Sequence, residues 1–115
     1  MQVFKTRWLA RFARHERIND QSLLEAVARA EHGLIDADLG SGLIRQRVAR
    51  KGQGRSGGYR AVVAYRMKER AVFLYAFAKN DRGNIDQKEL AELRKLGSNW
   101  LNATPQMIDE GIEDN

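Results

Sequence analysis

The sequence predicts a small α+β domain. Helices pack on one face of a small antiparallel (mixed) sheet, in the order βααβββα. Helical periodicity with capping signals occupies residues 6–33 and returns at 86–100. Three strand-like runs lie between these stretches, at 43–49, 59–67 and 71–77. The 115 residues suffice for one domain and not for two. Residues 1–103 are read as that domain and 104–115 as an acidic C-terminal tail.

Gln2–Lys5 opens the chain as a short strand or a lead-in. Trp8, Leu9, Phe12 and Ala13 then recur at helical spacing to about Arg17. Asn19–Asp20 breaks that helix, and Ser22-Leu-Leu-Glu25 has the pattern of a capping box. Leu23, Leu24, Val27, Ala28 and Ala30 line a second helix that stops at Gly33. Residues 34–42 read as a loop. The first two strand-like runs are separated by Arg50–Gly58, with four glycines and three cations, read as a hairpin connection. Lys68-Glu69-Arg70 turns the second run into the third, which is almost wholly apolar and so belongs inside the sheet. The last helix starts at Asp86, with Glu89 three residues on and Ile85 placed to staple against Leu90. Leu90, Leu93, Leu96 and Trp100 form its buried stripe. Thr104-Pro105 opens a short acidic segment.

Composition excludes several chemistries. There is no cysteine, hence no disulfide, thiolate nucleophile or cysteine-ligated zinc. His15 and His32 lack metal-ligand spacing, and no serine belongs to a triad pattern, so no metal or other cofactor is expected. The longest uncharged apolar run, Ala71 to Ala78, is too short to span a membrane, and the N-terminus has no apolar signal core. These features point to a cytoplasmic protein. Trp8, Phe12 and Trp100 sit at helical positions that read as core.

The net charge of +5 is unevenly distributed. Residues 1–40 are neutral, residues 41–82 carry +9 and residues 83–115 carry −4. Such a positive field attracts polyanions. Strand alternation places Arg45 and Arg47 on one face of the first run, and Arg60, Val62, Ala64 and Arg66 on one face of the second. If the runs are neighbours, the cations converge without facing carboxylates. The glycine-rich stretch matches neither a P-loop nor a dinucleotide-binding turn. From the residues alone, the chain is a small basic protein that binds or acts on a nucleic-acid backbone.

The run Gly42-Leu-Ile-Arg-Gln-Arg-Val-Ala-Arg-Lys-Gly-Gln-Gly-Arg-Ser-Gly-Gly-Tyr-Arg-Ala-Val-Val-Ala-Tyr takes the reading further. With Val72-Phe-Leu-Tyr-Ala-Phe-Ala-Lys-Asn and then Leu90 to Leu96, it resembles the RelE/HigB-type toxins of bacterial toxin–antitoxin systems. The likeness covers about residues 20–100. It implies a fold like that of compact microbial ribonucleases and cleavage of messenger RNA in the ribosomal A site. It also implies neutralisation by a cognate antitoxin, in the HigB-like branch usually a helix-turn-helix protein.

Cleavage of this kind uses the neighbouring 2′-hydroxyl as nucleophile, without a metal. The enzyme must take up its proton, stabilise the charge on the phosphate and protonate the departing 5′-oxygen. The resemblance assigns catalysis to Lys51, Arg60 and Lys79. Arg60 stabilises charge, Lys51 serves as base or proton shuttle if Arg50 and Arg55 depress its pKa, and Lys79 contacts phosphate or assists the acid. Arg45, Arg47, Arg50 and Arg55 position RNA or ribosome, and Tyr59 or Tyr65 stacks a base or relays a proton. No Tyr or His follows Trp100, which leaves the general acid unassigned. Two alternatives stand beside this reading: a ParE-type poison of DNA gyrase, which shares the fold but lacks the ribonuclease residues, and a non-catalytic module that binds nucleic acid or protein.

Overall fold

The computed structural model describes residues 1–50, 54–79 and 85–104, with side chains in the strand that begins at Gly54 described from Gly58 onward. The elements are β1 (Gln2–Lys5), α1 (Arg7–Glu16), α2 (Asp20–Glu31), β2 (Ala37–Gly40), β3 (Leu43–Arg50), β4 (Gly54–Arg66), β5 (Arg70–Ala78) and α3 (Gln87–Asn102). They build one mixed sheet in the order β1-β5-β4-β3-β2, with β1 parallel to β5 and the other pairs antiparallel.

Local chemistry sets the helix ends. The Thr6 hydroxyl accepts from the Leu9 amide, and Asn19 accepts from Ser22. Ser22 therefore lies inside α2, and the Ser22/Glu25 capping box expected from the sequence is not used; Glu25 pairs with Arg29 instead. At the end of α2, the left-handed Gly33 (φ 82°) releases the chain. A full capping box opens α3, joining Asp86 and Glu89 reciprocally. Its C-terminal carbonyls are held by β-sheet arginines: Arg70 donates to Trp100 and Ala103, and Arg66 to Leu101.

Three features differ from the sequence-based expectation. Residues 37–40, expected in a loop, form edge strand β2, whose short Ala-Asp-Leu-Gly pattern carries no β-propensity signal. The glycine-rich stretch is largely strand: β3 runs to Arg50 and β4 starts at Gly54. There the register shifts between Val48 and Arg50, and Gly58 faces the irregularity. A Cβ at Gly58 would stand 2.2 Å from the Val48 carbonyl oxygen, so only glycine lets the two backbones approach.

The third difference is that the helices cover both faces. On one side α1 and α2 bury Leu9, Ala13, Leu23, Ala26 and Val27 against Ile44, Val48, Tyr59, Val63 and Phe73. On the other, α3 buries Trp100 and Leu101 against Leu43, Val62, Ala64, Val72 and Leu74. The buried Gly97 admits α3 closely, since its position for a Cβ lies 3.2 Å from the Ala64 methyl. Leu96, expected in the buried stripe, is 42% exposed beside it. The apolar β5 is covered on both faces, as its composition predicts. Among the described residues, no helix is long and apolar enough to cross a membrane.

Candidate nucleic-acid interface

Antiparallel registry decides which cations meet. Arg47 lies directly opposite Arg60, and Arg45 opposite Val62. Directly opposed residues project to the same face, with Cβ atoms about 5 Å apart. Val62 belongs to the cluster under α3, so Arg45, Arg47 and Arg60 share the α3 side of the sheet. The packing of α3 is concentrated at the end formed by Leu43, Ala64 and Val72, whereas Arg47 at the other end is exposed. Lys79, also exposed, directly follows β5 at that same end, next to the Ala78–Tyr59 pair.

Two guanidinium groups placed opposite one another repel, and the structure relieves this through Asp36. Its Oδ1 accepts from Arg47 Nη2 at 3.1 Å, and its Oδ2 accepts from the Arg47 amide at 2.7 Å and from Arg29 Nη1 at 3.2 Å. Arg29, 10% exposed, is held in turn by Glu25 and by the Arg47 carbonyl. Gln46, fully buried, ties the same corner together, accepting from the Asp36 amide and donating to the Ala26 and Leu34 carbonyls. Burial alone pushes the Asp36 carboxyl up, but the Arg47 amide and the two guanidinium groups outweigh it and hold it below its ordinary range. The expectation that no carboxylate faces the cations therefore fails at Arg47. Among the described residues, Arg60 has no carboxylate partner.

The other predicted residues separate. Tyr59 and Tyr65 are buried on the opposite face, under α1 and α2. The Tyr59 hydroxyl donates to Glu16 at 2.9 Å and the Tyr65 hydroxyl to Glu31. Burial, with the Glu31 carboxylate beside it, pushes the Tyr65 phenol far up. Hydrogen bonds from His15 and Tyr59 hold Glu16 down. Both tyrosines are thus core groups with satisfied hydroxyls, removed from the arginine row. Arg50 turns to that face too, its guanidinium carbon 5.8 Å from the Tyr59 ring centre. Arg55 belongs to β4, but its side chain lies outside the described residues, as do Lys51 and the acidic segment from 105 on.

An aromatic group lies beside the arginines. Trp8, expected in the core, is 41% exposed. It stacks on Phe12 (5.3 Å, 10°) and leans on Tyr75 at 4.7 Å. Tyr75 in turn lies 6.1 Å from Phe77, the direct partner of Arg60. A register shift opposite Val62 and Val63 changes the phase of alternation in β5 and sets Tyr75 on the α3 side. Among the described residues, no three His, Asp or Glu side chains gather as a metal site.

Compared with known protein families, the whole chain, residues 1–115, matches the model described as the RelE toxin of the RelE / RelB toxin-antitoxin system. No curated protein matches it.

Proposed function

Because this chain belongs to the RelE toxin family, and is so the toxin of a toxin–antitoxin pair, we propose that it is a ribosome-dependent endoribonuclease cutting messenger RNA in the A site. The observation that carries the reading is the arginine row of β3 and β4: Arg47 opposite Arg60, with Arg45 on the same face. A guanidinium at Arg60, uncommitted to any described carboxylate, can hold two oxygens of a phosphate as its charge grows.

In the reaction the 2′-oxygen attacks phosphorus, the bond to the 5′-oxygen breaks, and a cyclic phosphate remains. Arg60 stabilises the pentacoordinate phosphate. Lys51 takes the 2′-proton, and Lys79 contacts the phosphate or assists protonation of the 5′-oxygen. Lys51 plays this part if neighbouring cations depress its pKa. Arg45 and Arg47 position the RNA or the ribosome without reading sequence. The cognate antitoxin, a helix-turn-helix protein in this reading, neutralises the toxin in the cytoplasm.

The test is to add the purified protein to a translating bacterial extract and map new 5′ ends on a reporter messenger RNA, with ribosome-free RNA alongside. New ends confined to the translating sample, lost with Arg60→Ala while ribosome binding persists, support the proposal. Cuts in both samples overturn the ribosome dependence. No cuts in either overturn the ribonuclease reading in favour of gyrase poisoning, checked next by supercoiling, or of a binding module.

A further inference from the structure

The ladder between β2 and β3 is short. Its last pair joins Ala37 to Arg45, so the amide and carbonyl of Arg47 lie beyond its end. Two side chains take the place of a neighbouring strand there. Asp36 Oδ2 accepts from the Arg47 amide at 2.7 Å, and Arg29 Nη2 donates to the Arg47 carbonyl. The other oxygen of the same carboxylate accepts from Arg47 Nη2 at 3.1 Å. One carboxylate thus grips a single residue at its main chain and at the tip of its side chain. That closes a ring through the side chain and fixes its torsions.

The carboxylate is itself held from a buried frame. The Asp36 amide donates at 2.7 Å to Gln46, whose side-chain amide is anchored on the Ala26 and Leu34 carbonyls. Arg29 braces Asp36 Oδ2 at 3.2 Å and is steadied by Glu25, one turn back on α2. An exposed counter-ion would neutralise Arg47 equally well. A carboxylate fixed in this way also decides where the guanidinium lies, on the face that Arg47 shares with Arg60.

Two effects compete at this position. Without the grip, opposed guanidinium groups on Cβ atoms about 5 Å apart would swing away from each other into solvent. Ordering one such long side chain on binding lowers affinity several-fold. Against that, a carboxylate near the path of a phosphate repels it. The repulsion is small here, because Asp36 touches two guanidinium groups, at 3.1 and 3.2 Å. Salt screens what is left beyond about 8 Å. Ordering therefore outweighs repulsion.

Resting on the ribonuclease reading, we propose that Asp36 is a positioning residue: it holds the Arg47 guanidinium beside Arg60 in advance, as one arm of a preset contact for RNA phosphate. Arg47 then offers its remaining N–H groups to the RNA backbone without first being ordered, and reads no base.

The test is a double-mutant cycle on RNA binding. A short fluorescein-labelled single-stranded RNA is titrated by anisotropy, in about 150 mM salt, with the wild-type protein, Asp36→Asn, Arg47→Ala and the double variant. The temperature is one at which circular dichroism shows all four folded. Arg47→Ala should weaken binding roughly ten-fold and Asp36→Asn roughly five-fold. Adding Asp36→Asn to Arg47→Ala should cost nothing more. In the translating extract, Asp36→Asn should raise the ribosome concentration needed for half-maximal cutting and leave the saturated rate within about two-fold. Arginine side-chain NMR gives a reading that needs no variant: the Arg47 Nε–H of the wild-type protein should be as rigid as the backbone amides.

Equal losses from Asp36→Asn with and without the Arg47 side chain overturn the proposal and leave Asp36 a structural tie. Tighter binding by Asp36→Asn overturns it as well, because the carboxylate would then restrain Arg47 from the phosphate. So does a mobile Arg47 guanidinium, or a wild-type protein that does not bind the RNA. The two readings fail separately. A coupled loss of binding without cleavage in the translating extract keeps the positioning role and removes the ribonuclease. Cleavage with no coupling between Asp36 and Arg47 does the reverse.

Discussion

Replacing Asp36 by asparagine should cost stability in a pH-dependent way. Asp36 is 18% exposed and bridges two guanidinium groups, one of them 10% exposed. Breaking a fully buried ion pair costs about 3–5 kcal/mol, mostly for the charge left behind. Here Arg29 keeps Glu25 and the Arg47 carbonyl. Arg47 is 44% exposed, so solvent screens its share. The asparagine oxygen can still accept from one amide. A loss of about 2 kcal/mol is expected, about 8 °C in Tm for a domain of this size. Asp36 titrates below its ordinary value of 3.8 when folded. Its contribution is complete above the unfolded pKa and is lost as pH falls through the lower folded one. Thermal melts of both proteins should therefore differ most near neutrality and converge as the pH falls below the ordinary carboxylate range. A gap under about 2 °C at pH 7, or one that stays constant into acid, would refute the claim that the carboxylate charge holds this corner.

Other changes probe the sheet and the site. Gly58→Ala pushes a methyl onto the Val48 carbonyl and toward the Arg50 amide; it should cost at least about 2 kcal/mol, read as a drop in the urea midpoint. An unchanged midpoint would mean that the two backbones are not held close. Tyr59→Phe removes the bond to Glu16 and should lose about 1 kcal/mol of stability while keeping cleavage and toxicity. If cleavage collapses with the fold intact, Tyr59 has a role that its burial denies. Arg60→Lys keeps the charge but not the fork, and should slow cleavage about 100-fold with ribosome binding retained. Full activity would remove Arg60 from the chemistry.

Most of the architecture was legible because its signals are local. The Asp86 capping box, the Gly33 stop and the unbroken apolar run of β5 each state their own structure. Alternation in β4 already set Tyr59 and Tyr65 opposite Arg60. Which side of the sheet lay open could not be read, because that depends on α3 crossing to the face away from α1 and α2. With all helices assigned to one face, both tyrosines could be counted among the arginines. Strand β2 was hidden because it is held by pairing and by the Asp36 corner rather than by its own residue preferences. Trp8 misled for a related reason. Helical spacing marks the face that meets the protein, and the edge of a sheet supplies only part of a wall.

The joining of the first strand to the last has a consequence for how this protein comes into being. β1 pairs with β5, and Thr6 touches Leu74 across 68 positions of chain. Synthesis delivers β1, α1 and α2 first, and nothing then exists for them to lie on. Leu9, Leu23 and Val27 stay uncovered until the β3–β5 meander has left the exit tunnel, and closing so long a loop is slow. The arginine row needs β4 paired to β3, and its aromatic rim needs β5 as well. On the proposed function, a nascent copy is therefore harmless to the ribosome making it, and its uncovered apolar helices mark the interval in which a partner present at birth can seize it.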